Sequence, residues 1–213
     1  PFTTSTLQQE ASRKLSFSVK QTMMVAQKLY EAGKITYMRT DSVNLADQAL
    51  GQAGEVIEKT FGKKYLKIRK YKTKSSSAQE AHEAIRPTDL SQDTAGKDRN
   101  EQRLYDLIWK RTIASQMAEA QIEKTVATIS ISTTEENLTA TGEVLKFDGF
   151  LKVYFESSDD EEEENTNPMD SKMLPPLKEG QKLDLDHLMA RESFARPPAR
   201  YTEASLVKKM EEM

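Results

Sequence analysis

The 213-residue sequence contains no cysteine. That absence excludes disulfides, thiolate metal sites and a cysteine nucleophile. Only two histidines occur, His82 and His187, and neither has metal-ligand spacing to a second ligand. No apolar run approaches the roughly 18 residues of a membrane span, and there is no signal peptide. A glycine-rich phosphate loop is also missing, so nucleotide hydrolysis is not expected here. No long internal repeat is present. Together these absences predict an intracellular, soluble protein. The chain begins at Pro1 and ends inside the pattern "KKMEEM", which reads as a piece of a longer protein.

Hydrophobic residues make up 37% and charged residues 31%. A core that modest predicts two small bodies or an elongated shape. The net charge of −3 conceals an asymmetry. Residues 1–123 hold 20 Lys and Arg against 15 Asp and Glu, a net of +5, whereas residues 124–213 hold 11 against 19, a net of −8. The basic excess gathers in Lys59 to Lys74, "KTFGKKYLKIRKYKTK", with eight basic residues, Lys63 and Lys64 among them. Tyr65 and Tyr71 lie between. Cations can meet phosphates and rings can stack on bases, so this run suits a nucleic-acid backbone. A solvated lysine-rich loop is the plainer account. Asp159 to Glu164, "DDEEEE", predicts a disordered acidic loop near 157–170 that would repel nucleic acid.

Periodicity divides the chain. "STLQQEASRKL" predicts a helix, with Ser5 and Gln8 at capping-box spacing. "SVKQTMMVAQKLYEAG" predicts a second, capped by Ser18 and closed by Gly33, with Val19, Met23, Ala26 and Tyr30 as its apolar stripe. Met23 and Met24 read as core. "ITYMR" predicts a short strand, so the unit resembles a helix-turn-helix with a wing. Helices are further predicted in "NLADQALGQAGEVIEKTFG", in "AQEAHEAI" up to Pro87, and in "EQRLYDLIWKRTIASQMAEA". From residue 124 the period shortens, predicting three or four antiparallel strands, then two more in "PPLKEGQKLDLDHLMARESF". Asp184 and Asp186 there read as a solvated strand edge. A last helix starts near Thr202. The expected class is α+β. A helical domain with a winged-helix-like unit spans 1–123, an antiparallel strand-rich domain 124–196, and the start of a further helical domain 197–213.

Two constellations carry chemistry. On a strand, Ile35, Tyr37 and Arg39 share one face, with Thr36 and Met38 on the other. A half-buried aromatic beside a charge is the plain reading. The alternative is a tyrosine nucleophile. A phenol has a pKa of about 10, so ionising it at pH 7 costs roughly 4 kcal/mol. An adjacent guanidinium lowers that cost and grips two phosphate oxygens with its planar fork. Attack on a phosphodiester gives a phosphotyrosine and keeps the bond energy, so resealing needs no ATP. In the second constellation, "QEAHEAIRPT", Gln79, His82 and Arg86 fall on one helical face and could meet a phosphate backbone. A structural role for the lone histidine is the competing account.

"PFTTSTLQQEAS", "TMMVAQKLYEAGKITYMRTDS", "QEAHEAIRPTD", "LYDLIWKRTIASQM", "FDGFLKVY" and "PPARYTEASLVKKMEE" occur here in the order found in bacterial type IA DNA topoisomerase I. The chain resembles that family throughout, apart from the acidic insert around 157–170. Met38 resembles the topoisomerase I branch. The resemblance implies that Tyr37 forms a 5′-phosphotyrosyl link, that Arg39 positions the scissile phosphate, and that His82 contacts the backbone near the break. It implies that 1–123 is the mobile tyrosine domain and 124–196 the arch that hinges it. It implies single-stranded and negatively supercoiled DNA as partners, no membrane, a monomer, and a cytoplasmic, nucleoid-associated location in a bacterium. Mg²⁺ would be bound by the family's Toprim domain, not by this fragment, so the fragment would fold without relaxing DNA alone. Two other readings stay open from the residues themselves: a non-catalytic winged-helix DNA-binding module, and a protein-interaction domain with solvated charge runs.

Overall fold

The structure is a computed structural model. It describes residues 1–71, 82–155, 174–175, 177–190, 192, 194 and 200–213. Gln79, the acidic run near 157–170 and the proline link at 197–199 lie outside the described residues.

The elements run in the order α1 (Thr4–Leu15), α2 (Val19–Glu31), α3 (Asp47–Thr60), a 3₁₀ turn (Lys63–Tyr65), α4 (Arg99–Ser115), β1 (Gln121–Ser130), β2 (Asn137–Phe147), a second 3₁₀ turn (Gly149–Lys152) and α5 (Glu203–Glu211). The chain divides into two compact units. One comprises residues 1–120, 148–164 and 201–213, the other 121–147 and 165–200. Helices mixed with antiparallel strands bear out the α+β class.

The first unit is built on a helical core. Leu7, Ala11, Ala26, Leu29, Leu104, Ile108 and Ile113 are fully buried, and α1 packs on α2, α4 and α5. Trp109 joins the core through its indole N–H, which donates to the Leu90 carbonyl at 2.9 Å. The cap of α1 is Thr3 paired with Thr6, not Ser5 with Gln8. Phe2, wholly buried and bridged to Ile85, fixes the chain so that Thr3 reaches the orphan amides. Ser18 caps α2 as the spacing predicts, and Gly33 follows its end at φ +68°.

The stripe on α2 needs correcting. The buried set is Thr22, Val25, Ala26 and Leu29. Thr22 can be buried because its hydroxyl donates to the Ser18 carbonyl at 3.0 Å. Tyr30 and Met24 consequently turn outward, 40% and 54% exposed.

"AQEAHEAI" is not helical over its described part, residues 82–85. Residue 86 precedes proline and is steered away from the α region. Ile85 donates its N–H to the Phe2 carbonyl at 2.9 Å, so tertiary pairing replaces the helical ladder. The strand count is corrected too. Among the described residues β1 and β2 are the strands of the second unit, an antiparallel hairpin from Gln121↔Phe147 to Ser130↔Asn137. Residues 149–152 form a 3₁₀ turn instead, and residues 177–190 carry no strand.

Candidate active site

"ITYMRTDS" is not a regular strand. Ile35 makes a single bridge to Pro87, and the chain bends at residues 36 and 38. Ile35 is therefore on the buried side, 1% exposed, with Met38 at 2%, Thr40 at 9% and Ser42 at 1%. Tyr37 is 47% exposed and Arg39 is exposed beside it. Tyr37 and Arg39 are both exposed, whereas Ile35, expected on their face, is buried. Burying an Ile or Met of this kind contributes about 1.5–3 kcal/mol each, so the two apolar anchors hold the segment down.

Hydrogen bonds pin the backbone on both sides of Tyr37. Upstream, the Thr36 amide donates to the Arg86 carbonyl at 2.9 Å, and the Arg86 amide donates back to Thr36 Oγ1 at 2.9 Å. Thr36 Oγ1 donates to the Ala84 carbonyl at 2.7 Å. Thr88 donates through its amide to the Lys34 carbonyl and through its hydroxyl to the Gly33 carbonyl, at 3.0 and 2.7 Å. Downstream, Thr4 Oγ1 donates to the Met38 carbonyl at 2.8 Å and accepts from the Thr40 amide at 2.9 Å. The Thr4 amide donates to the Thr40 carbonyl at 2.9 Å. The sequence reading placed Thr36 on the face opposite Tyr37 but gave none of these threonines a role. The signal that could have found them is the hydroxyl density of "FTTST" at the chain's start and of "TDS" just after the tyrosine.

Arg39 has no ion pair or hydrogen bond among the described residues, and the same holds for the Tyr37 hydroxyl. The ring of Tyr37 meets that of Tyr30 edge-on, 5.2 Å between centroids and 63° between planes.

The segment carrying His82 is the one paired with Thr36. His82 is exposed at its start, while Ala84 and Ile85 are fully buried. The Ala84 amide donates to the Asn44 carbonyl at 2.8 Å. Arg86 is turned inward. Its Nη2 meets Glu83 Oε2 at 2.7 Å and its Nη1 donates to the Pro87 carbonyl at 2.9 Å. Glu83 Oε1 also accepts from the Ala46 amide at 2.6 Å, so one carboxylate ties this segment to the start of α3. That bond takes the place of a side-chain N-cap, which α3 lacks.

Lys63 and Lys64 are exposed on the first 3₁₀ turn. Lys64 Nζ lies 5.1 Å from the centroid of the Tyr65 ring. Much of the remaining basic run is neutralised. Lys67 and Arg69 both meet Glu119, at 2.7 and 2.6 Å, and Lys70 meets Asp47 at 2.7 Å. Hydrogen bonding from Lys67, then from Arg69, holds the Glu119 carboxyl down to about 2. Tyr65 is buried and donates to Asp148 at 2.7 Å, so its ring is not available for stacking on bases. Tyr71 donates to the Ser115 carbonyl at 2.8 Å.

Among the described residues no three His, Asp or Glu side chains cluster to hold a metal ion. Glu83, the carboxylate nearest His82 in the chain, is already engaged by Arg86 and the Ala46 amide.

The site is an outward phenol and guanidinium on a segment clamped by two others. A family model described as DNA topoisomerase matches residues 1–213. The chain is 49% identical over 227 residues to "DNA topoisomerase 1" of Rickettsia conorii, covering 100% of this chain and 29% of that protein. It is 48% identical over 216 residues to "DNA topoisomerase 1" of Pseudomonas aeruginosa, covering 99% of this chain and 24% of that one. Its fold superposes on the full-length topoisomerase I of Thermotoga maritima with a TM-score of 0.77 and 38% identity, over 100% of this chain and 34% of the other. The chain thus spans less than a third of the curated relatives it matches. With the whole length matched, "YMRTDS" and "HEAIRPT" included, the chain belongs to the DNA topoisomerase family.

Proposed function

We propose that this chain is the tyrosine-bearing part of a type IA DNA topoisomerase I. The observation that carries the reading is Tyr37 beside Arg39, both exposed, on a backbone hydrogen-bonded at Thr36, Met38 and Thr40. A phenol presented outward on fixed chain is suited to attack. Its oxygen bonds to phosphorus and its proton leaves. The bond from phosphorus to the 3′ oxygen breaks, and that oxygen takes up a proton as a free hydroxyl. The 5′ end stays on Tyr37. Arg39 holds the scissile phosphate through its fork and stabilises its charge. His82, exposed on the neighbouring segment, contacts the backbone near the break.

Lys63 and Lys64 supply further phosphate contacts, and Gln79 belongs to the same proposed set. Arg86 was expected in that set too, but its pairing with Glu83 supports a positioning role instead. Residues 1–123 act as the mobile tyrosine domain, 124–196 as the arch and 197–213 as the start of the next helical domain. The whole protein works as a monomer in the bacterial cytoplasm, on the nucleoid. It opens one strand of negatively supercoiled DNA, passes another strand and reseals without ATP. Mg²⁺ would be held by a Toprim domain outside this chain, where it would supply positive charge to the phosphate. This chain alone binds single-stranded DNA without relaxing it. A binding module has no use for an exposed phenol and a guanidinium that has no partner among the described residues, so the non-catalytic reading is not favoured.

The test is relaxation of negatively supercoiled plasmid by the full-length protein. Tyr37→Phe should abolish it while preserving affinity for single-stranded oligonucleotide. Relaxation that survives the substitution would refute the assignment.

A further inference from the structure

The reading above uses Tyr37 but says nothing of Tyr30. Tyr30 sits in the last turn of α2, one turn beyond Ala26 and next to Leu29, both fully buried, at the rim of the buried face. Its own side chain is 40% exposed, so the core does not need it. The ring nevertheless packs edge-on against Tyr37 at 5.2 Å. The link between the two positions is stiff. The Gly33 amide donates to the Tyr30 carbonyl and the Lys34 amide to the Leu29 carbonyl, both at 2.8 Å. Gly33 takes the left-handed conformation this return requires. Thr36, next to Tyr37, is locked to Ala84 and Arg86.

The backbones at 30 and 37 are therefore both fixed, and the rings meet between them. An exposed tyrosine otherwise exchanges among staggered rotamers, only one of which aims its oxygen at a given point. Among the described residues neither hydroxyl has a hydrogen-bond partner, so the ring contact is what orients the phenol.

Resting on the topoisomerase reading, we propose that Tyr30 is a positioning residue. Its ring holds Tyr37 in the rotamer from which the phenolic oxygen reaches phosphorus. The ring does this, not the hydroxyl, so phenylalanine should serve as well.

The experiment uses a full-length topoisomerase carrying this chain. Adduct formation is timed in single turnover with a saturating labelled single-stranded oligonucleotide, for Tyr30→Ala and Tyr30→Phe. Affinity for the same oligonucleotide is measured with Tyr37→Phe added, so that no cleavage intervenes. An aromatic pair of this geometry corresponds to about a three- to tenfold rate loss in Tyr30→Ala. Affinity should stay within about twofold, melting temperature should fall by no more than a few degrees, and Tyr30→Phe should restore the rate. An unchanged rate in Tyr30→Ala overturns the proposal. So does a rate that is normal at saturation with affinity lost, which would make Tyr30 a stacking platform for a base. Failure of Tyr30→Phe to rescue overturns it as well. If the parent protein forms no adduct that Tyr37→Phe removes, the topoisomerase reading itself falls, a result distinct from all of these.

Discussion

The hydroxyl of Thr4 donates to the carbonyl of Met38 at 2.8 Å, one residue past Tyr37. The first residue of α1 thereby sets the height of the tyrosine segment above the helical core. Thr4→Val keeps the shape and removes the hydroxyl. It leaves the Thr40 amide and the Met38 carbonyl short of a partner, at a cost of about 1–3 kcal/mol. Thermal melting should drop accordingly, and adduct formation in the full-length protein should slow. An unchanged melting temperature would show that water replaces the hydroxyl without loss.

Arg39→Lys preserves the charge and removes the fork. Because Arg39 has no protein partner among the described residues, folding should not change. Oligonucleotide affinity should fall little, while single-turnover cleavage falls on the order of 10²-fold, as for loss of one preorganised charge-stabilising donor. Equal losses in binding and cleavage would argue that Arg39 only binds.

Arg86 gives the opposite expectation. With its guanidinium on Glu83, Arg86→Ala should lower the melting temperature and leave the salt dependence of oligonucleotide binding unaltered. A phosphate contact would instead reduce the salt slope by roughly 0.7.

Glu119 provides a pH signature. Its folded carboxyl lies at about 2, depressed from 4.5 by Lys67 and Arg69. A depressed acid contributes stability that is fully present above its unfolded value and is lost as pH falls through the folded value. The melting difference between the parent chain and Glu119→Gln should hold steady above pH 4.5 and shrink toward pH 2. All three side chains are partly solvated, so the difference is small. No convergence across that window would mean that the ion pairs do not form in solution.

Gly149 takes φ +50°, and a Cβ there would lie 2.5 Å from the Ala118 carbonyl oxygen and from backbone atoms of Glu119. Backbone cannot yield as a flexible side chain does. Gly149→Ala should lower unfolding free energy by about 2–4 kcal/mol, adding left-handed strain to the clash. Denaturant titration measures it, and a loss below about 0.5 kcal/mol would contradict the tight approach.

These outcomes follow from side chains of which only some were visible in the sequence. Local rules located α2 and α4, because Ser18 and Gly33 act through their own neighbours and the Leu104, Leu107, Ile108 stripe repeats at the helical period. The exposure of Tyr37 and Arg39 agrees with a reading that set them on one face of a strand, although the segment is not a strand and Ile35 lies on the buried side. Non-local bonds were not legible. Ile85 pairs with Phe2, 83 positions away, and that pairing turned a helical reading of 82–85 into extended chain. Tyr30 was assigned to the core because hydropathy favours it over Thr22. Thr22 takes the buried place by satisfying its hydroxyl on Ser18, which composition does not reveal. The extra strands failed because alternating residues in 177–190 have no partner strand among the described residues, and alternation alone does not make a ladder.

The most direct test is the chemistry of Tyr37 itself. Single-stranded oligonucleotides labelled at the 5′ or the 3′ end are mixed with full-length protein and with its Tyr37→Phe variant, then quenched in detergent. An adduct that retains the 3′ label, so that protein sits on the 5′ phosphate of the downstream piece, is the predicted result, and Tyr37→Phe should abolish it. Equal binding by both proteins with no adduct from either would contradict the nucleophile assignment and leave a DNA-binding module in its place.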